Sequence, residues 1–165
     1  MGHLPGRREL QEEQEGEIMT AGINKAEIMA LSRKLSRDEM KNYLEKQIGK
    51  RISVKAFETI MRDTLPFEGY YQTEVKGFIR DTYPGAFVWK AAAGPYSRQG
   101  IPDVCAIING HFFGFEIKRP YIGRVTKIQE KTMKEVIAAG GTAAVVSFWH
   151  QAKEEIERWM NFKKR

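Results

Sequence analysis

The first third of the chain has the apolar spacing of short helices. Helices are predicted to begin after Asn24 and after Ser36, which has Glu39 at capping-box distance, and the second should end at Gly49. A third is predicted from about residue 53 to 64. Their apolar residues should bury one face of a small bundle: Leu31, Leu35, Met40, Tyr43, Leu44, Ile48, Phe57 and Ile60. A packing extension explains this segment better than a helix-turn-helix DNA reader, because no recognition helix stands out.

From Pro66 onward, helical and strand patterns alternate. The predicted elements are a helix over about 68–81, strands over 86–90, 103–108 and 111–118, a helix over 125–139, a strand over 142–148 and a helix over 151–162. Asn109-Gly110, between two apolar runs, is the strongest short hairpin signal. The helix over 125–139 should bury one apolar stripe, formed by Val125, Ile128, Met133, Val136 and Ile137. We therefore predict an α/β fold with a central mixed four-stranded sheet flanked by helices, plus an N-terminal helical extension.

Composition and charge set limits on these predictions. The 165 residues, 42% of them hydrophobic, suffice for one core but not for two full-sized domains. We expect a disordered acidic leader over 1–20, a helical extension over 21–65 and the main domain over 66–165. A net charge of +6 suits a polyanionic partner, although many such proteins bind no nucleic acid. The single cysteine, Cys105, excludes an internal disulfide, and no apolar run is long enough for a membrane span, so we expect a soluble, cytoplasmic protein.

The predicted hairpin brings together residues that can do chemistry. Counting outward from its turn places Asp103 opposite Glu116. Like charges opposed at roughly 5 Å destabilise a sheet, so a cation between them is indicated, and Mg²⁺ takes carboxylate oxygens while keeping positions for water and phosphate. Lys118 shares the face of Glu116, and Gly114 on that face leaves room for a ligand. A surface hairpin with scattered charges does not account for this agreement of register, acids and lysine.

These residues also form a known motif. Gly100-Ile-Pro-Asp103 followed by Phe115-Glu116-Ile-Lys118 resembles the Pro-Asp, Glu-x-Lys motif of the restriction-endonuclease-like superfamily. With Thr126-Lys-Ile-Gln129 and Gly140, the region from about residue 70 to 148 is similar, more narrowly, to the VRR-NUC family of virus-type replication and repair nucleases. Residues 1–65 lie outside this similarity.

The resemblance implies a restriction-endonuclease-like core and a Mg²⁺- or Mn²⁺-dependent endonuclease. It further implies a homodimer that cuts branched or four-way-junction DNA in phage replication, recombination or repair, in the host cytoplasm if phage-encoded. The implied metal ligands are Asp103, Glu116, the backbone carbonyl of Ile117 and, through a water, Glu74. Two alternatives stay open: a sequence-specific or weakly selective duplex nuclease, and a non-catalytic DNA-binding subunit with the same fold.

Two helical residues extend the predicted catalytic set of Asp103, Glu116 and Lys118. Glu74 matches the family's acid on the first helix, and Gln129 matches the glutamine that follows Glu-x-Lys, although it also has the position of a helix-capping residue. The cations and tyrosines around the centre are expected to hold the DNA backbone and pack on sugars or bases. They are Lys90, Tyr96, Arg98, Arg119, Tyr121, Arg124, Lys127 and Lys131.

Overall fold

The computed structural model of the chain describes residues 22–92, 94 and 98–164, which divide into two compact units. The first comprises the described residues up to Leu65 together with Pro120–Ile122. The second comprises Pro66–Arg119 and the described residues from Gly123 onward. The predicted leader and Tyr96 lie outside the described residues. Among the helices within them, none is long and apolar enough to cross a membrane.

The first unit is helical. Its helices are α1 Lys25–Ser32, α2 Arg37–Ile48 and α3 Val54–Thr64. Ser36 and Glu39 form the predicted capping box, and Gly49 ends α2 in the left-handed region with φ 78°. All eight apolar residues predicted for the bundle lie in or against one hydrophobic core. Ile28, Ile52, Met61 and Leu65 belong to it as well.

The second unit is an α/β arrangement in the predicted order. Its elements are α4 Glu68–Thr82, β1 Phe87–Lys90, β2 Val104–Ile108, β3 His111–Ile117, α5 Lys127–Ala138, β4 Thr142–Val146 and α6 Trp149–Lys163. The strands form one sheet in the order β1-β2-β3-β4, antiparallel except that β4 runs parallel to β3. The predicted mixed four-stranded sheet flanked by helices is confirmed.

The β2–β3 hairpin has the predicted turn and register. Asn109 and Gly110 both have positive φ, 50° and 78°, as a type I′ turn requires. Ile108 pairs with His111, and the ladder continues in step to its last pair, Val104 with Phe115. Counting residues outward from the turn was therefore sufficient to place the two strands.

The predicted cross-strand pair of Asp103 and Glu116 is wrong as a backbone pair, because β2 begins one residue later. The next hydrogen-bonded pair of an antiparallel ladder would join Pro102 to Ile117, and proline has no N–H to donate. The Ile117 N–H instead donates to the Asp103 side chain at Oδ2, 2.9 Å away. The ladder therefore ends at the position where the motif begins.

The two faces of the sheet are covered differently. Helices α4 and α6 pack on one face, where Phe113, Phe115 and Ile117 are fully buried as predicted. Helix α5 packs on the opposite face, against β3 and β4. The predicted buried stripe of α5 is wrong at Ile128 and Ile137, which are 43% and 55% exposed. Because α5 contacts β3 and β4, the described residues leave the β1 side of that face partly open.

Candidate active site

Asp103 is held by the loop that precedes β2. In that loop Gly100 has φ +78°, and a Cβ there would lie 2.7 Å from the backbone oxygen of Ile128 on α5. Only glycine allows the loop to approach the helix so closely. Together with the bond from Ile117 to the Asp103 carboxylate, this packing gives the Gly-Ile-Pro-Asp motif a structural explanation.

Glu116 is an acid that is almost completely removed from solvent, at 1% exposure. Its Oε1 accepts a hydrogen bond from Gln129 Nε2 and lies 2.6 Å from Lys118 Nζ, whereas its Oε2 is buried without a hydrogen-bond partner. Burial is the main cause that raises the pKa of Glu116 to about 7; the adjacent Asp103 carboxylate adds to the rise and Lys118 opposes it. The carboxylate pair thus favours a shared proton or another positive charge.

Lys118 is the cation of this cluster, with a side chain 13% exposed. Besides its ion pair with Glu116, its Nζ lies 3.9 Å from Glu68 Oε2. Burial lowers the pKa of Lys118, but the hydrogen bond and charge of Glu116, with the charges of Glu68 and Asp103, raise it overall. The lysine is therefore an ammonium ion at neutral pH.

Glu68, the first residue of α4, is a member of the cluster that was not predicted. Burial is the main cause that raises its pKa, and the Asp103 charge adds to it, while Lys118, Arg119 and Lys90 act in the opposite direction. An acid in the first turn of a helix is ordinary, because it complements the helix dipole. The local sequence therefore has no signal that Glu68 lies beside Lys118.

Glu74, the acid that was predicted on this helix, lies elsewhere on α4. It is half-buried, and its Oε1 accepts a hydrogen bond from the Tyr70 hydroxyl at 3.1 Å. Six residues place it about 9 Å along the helix axis from Glu68 and on a different side. The acid of α4 that lies near Lys118 is therefore Glu68.

Gln129 uses both ends of its side-chain amide. Its Oε1 accepts from the Thr126 backbone N–H at 2.8 Å in the predicted capping box, and its Nε2 donates to Glu116. The residue that caps α5 thus also orients the buried carboxylate. These contacts leave the amide engaged with the protein instead of directed at a water or phosphate.

The missing side chain at Gly114 makes room for a neighbouring residue of the protein, not for a ligand as predicted. A Cβ at this position would lie 2.8 Å from Cγ of Pro102 and 3.2 Å from the Phe112 ring. The space above the strand is therefore filled by the proline ring and is not open to a ligand.

Two of the predicted DNA-binding cations lie near the acids. The charge of Lys90 acts on Glu68, as described above. Arg119, which follows Lys118, has its guanidinium over the Phe67 ring, 5.5 Å from the centroid. Phe67 itself is 82% exposed.

The other predicted DNA-binding cations lie on or before α5. Arg98 forms an ion pair with Glu135, and Lys131 Nζ lies 3.9 Å from the same carboxylate. Arg124 and Lys127 are exposed. Because Glu135 offsets part of this charge, the surface along α5 is less positive than its cations alone indicate.

Tyr121 belongs to the first unit and packs there. Its ring meets Phe57 edge-on, with centroids 5.9 Å apart, and its hydroxyl donates to the Leu35 carbonyl at 2.7 Å. Burial raises the pKa of Tyr121 to about 12. These contacts explain the residue as part of a core, and its role as a DNA contact stays a prediction.

The donor set of the cluster fits a divalent cation. The buried, unpartnered Oε2 of Glu116 lies with the Asp103 carboxylate nearby, and Pro102 has no N–H to donate to the Ile117 carbonyl. Among the described residues, no group of three or more His, Cys, Asp or Glu side chains could hold a metal ion. Two carboxylates suit Mg²⁺, which usually keeps several waters and is held by one or two acids.

Part of the chain is similar to a solved structure. A solved structure described as a VRR_NUC domain matches 55% of this chain and 94% of its own length, with 24% sequence identity and a TM-score of 0.46. No family model matches the chain, and a search of curated proteins finds no match. The description of that solved domain names the same family that the motifs resemble.

Proposed function

We propose that the chain is a metal-dependent nuclease of the VRR-NUC type, with a restriction-endonuclease-like core, that hydrolyses DNA phosphodiester bonds. The carrying observation is the buried Glu116, which lies beside Asp103 with one oxygen unpartnered and 2.6 Å from Lys118 Nζ with the other. A buried acid beside a second, half-buried acid is costly unless a positive charge satisfies both. The Pro-Asp, Glu-x-Lys motif supports the same assignment.

In this proposal some residues of the cluster hold a metal and others contact the phosphate. Asp103, Glu116 and the Ile117 carbonyl would hold Mg²⁺ or Mn²⁺, which when bound supplies Lewis-acid polarisation of the phosphate and lowers the pKa of a water. Lys118 places its ammonium beside the acids, where it stabilises negative charge developing on the phosphate. Gln129 keeps Glu116 in one orientation.

Glu68 provides a further carboxylate on the far side of Lys118. Its position 3.9 Å from the ammonium supports a role in keeping Lys118 directed at the centre. In this proposal Glu68 takes the place on α4 that the resemblance assigned to Glu74.

The substrate we propose is branched or four-way-junction DNA, cut by a homodimer with two equivalent centres. The motif resemblance supports this finer assignment, and the net charge of +6 suits a DNA partner. A duplex nuclease is the alternative, and cleavage of linear and branched DNAs of the same sequence separates the two. Light scattering that shows a monomer with and without junction DNA would contradict the dimer.

The test of the proposed function is cleavage of a panel of linear and branched DNAs with Mg²⁺, with Mn²⁺ and in excess chelator. Wild type should cut only with metal. Lys118→Ala should lose at least about a hundredfold in rate, the usual cost of removing a charge-stabilising donor, and keep most of its DNA affinity. Lys153→Ala, an exposed lysine on α6, is the matched control and should cut as wild type does. Full activity in chelator would refute the metal-dependent mechanism.

A further inference from the structure

An apolar cleft lies between the open part of the sheet and α5. It has a volume of about 630 Å³, which is within the range of small-ligand sites. Its walls include Trp89 and Phe112 from the sheet, Ile101 and Pro102 from the loop before β2, and Thr132 and Val136 from α5. The cleft is thus built from rigid elements of the second unit.

Aromatic rings continue from the cleft to the surface. The Trp89 and Phe112 ring centroids are 6.2 Å apart, and those of Trp89 and Phe87 are 5.3 Å apart. Phe87 is 66% exposed and Ile107, its partner on β2, is 41% exposed. Aromatic faces of this kind stack on nucleobases of any sequence.

Positive charge borders the same cleft. Lys90 and Arg98 line it, with Arg98 in an ion pair with Glu135, and the Lys90 charge also acts on Glu68 in the catalytic cluster. Cations beside aromatic rings match a nucleotide, which carries an anionic phosphate next to a flat base. A purely apolar partner would make no favourable electrostatic contact with these cations.

The cleft lies beside the proposed catalytic centre on the same face of the sheet, and the Pro102 ring over Gly114 stands between the two. Pro102, one of its walls, directly precedes Asp103 in the chain. On β3, Phe112 and Glu116 lie on the same face, four residues or about 14 Å apart. A DNA strand whose phosphate lies at Glu116 therefore reaches the cleft within a few nucleotides.

We propose that this cleft receives an unpaired nucleobase of the DNA substrate, stacked on Trp89, within a few nucleotides of the cleaved phosphate. A base in a duplex is stacked on both sides and cannot enter, so the cleft selects DNA with unpaired residues beside the cut. This inference rests on the proposed nuclease function and specifies its substrate class.

The test compares two DNAs, a blunt duplex and the same duplex with a single-stranded arm. Binding is measured by fluorescence anisotropy in excess chelator, and 2-aminopurine at successive arm positions reports stacking. Wild type should prefer the armed duplex. Trp89→Ala should weaken binding of the armed duplex about 5- to 150-fold, the range for loss of one stacked base, and abolish the 2-aminopurine response, with little effect on the blunt duplex.

Control variants separate stacking from folding. Trp89→Phe keeps a ring and should retain most of the preference, whereas Phe87→Ala, at an exposed position, should reduce it without loss of stability. Phe162→Ala removes an aromatic side chain that is 80% exposed on α6 and should change neither affinity. If Trp89→Ala does not fold, the Trp89→Phe and Phe87→Ala pair decides the question.

Three results would overturn the inference: no preference of wild type for the armed duplex, equal weakening of both DNAs by Trp89→Ala, or conversion of a dimer to a monomer by Phe87→Ala. The last would identify this face as a contact between copies of the chain. Cleavage of the same DNAs by wild type with Mg²⁺ is scored separately. Absence of any cleavage refutes the nuclease function, whereas cleavage without arm preference refutes only the cleft.

Discussion

Replacing Glu116 by glutamine tests the idea that the folded chain buries an acid whose charge Lys118 compensates only in part. Glutamine keeps the shape of the side chain and removes its charge. In the folded chain the pKa of Glu116 rises from 4.5 to about 7, which corresponds to a cost of roughly 3 kcal/mol for the ionised form relative to the unfolded chain. Because the pKa of about 7 already includes the attraction of Lys118, and glutamine resembles the protonated acid, we expect Glu116→Gln to stabilise the metal-free protein by about 1 to 3 kcal/mol at pH 8.

The pH dependence of this gain has a definite sign. A raised pKa means that the folded state holds its proton more tightly than the unfolded state, so wild type loses stability as the pH rises from about 4.5 to about 7. The glutamine variant has no such loss at this position. The stability difference between the two proteins should therefore be largest above pH 7, shrink as the pH falls, and vanish below 4.5.

The assay is chemical denaturation of both proteins in chelator at several pH values, repeated with Mg²⁺. Mg²⁺ should stabilise wild type, because a ligand that binds only the folded state adds to its stability, and should have much less effect on Glu116→Gln. The variant should also fail to cleave DNA. A variant less stable than wild type at pH 8, or equally stabilised by Mg²⁺, would show that Glu116 is not a partly compensated acid of a metal site.

Four further substitutions test individual contacts. Glu68→Gln should lower the cleavage rate about 10- to 100-fold, as loss of a positioning partner does, while Glu74→Gln should change it little; steady-state kinetics giving the reverse order would restore Glu74 to the site. Tyr121→Phe should destabilise the first unit by about 1 to 3 kcal/mol, because buried carbonyls lose a donor, and an unchanged denaturation midpoint would contradict the packing role. Gly114→Ala should cost about 1 to 3 kcal/mol in thermal melts, since its Cβ would meet a proline ring; a neutral effect would show that the ring moves aside.

The sheet and its acids could be predicted because both follow from local rules. The turn at Asn109-Gly110 sets the register, and the alternation of side chains along β3 then places Glu116 and Lys118 on one face. Asp103 follows from the same count, although its backbone lies just outside the ladder. None of these steps requires knowledge of distant parts of the chain.

The remaining features depend on how elements pack, which a local pattern does not contain. Glu68 and Glu74 are both acids on α4, and the docking of the helix decides which one reaches Lys118. Tyr121 follows the motif closely in sequence, yet it joins the core of the first unit. Ile128 has the spacing of a buried residue, but the docking of α5 buries Thr132 and leaves Ile128 43% exposed.

Pro102 gives the uncharged part of the motif a structural role. Pairing of the two strands ends before this residue. The backbone N–H and carbonyl of Ile117 therefore face a proline, which has no N–H to donate. The Ile117 N–H donates to the Asp103 carboxylate, and the Ile117 carbonyl has no N–H opposite it on residue 102. The proline thus interrupts the ladder beside the acids and leaves these backbone groups available for contacts other than strand pairing. In the proposed centre, a side chain without a reactive atom would in this way set where the metal ligands meet.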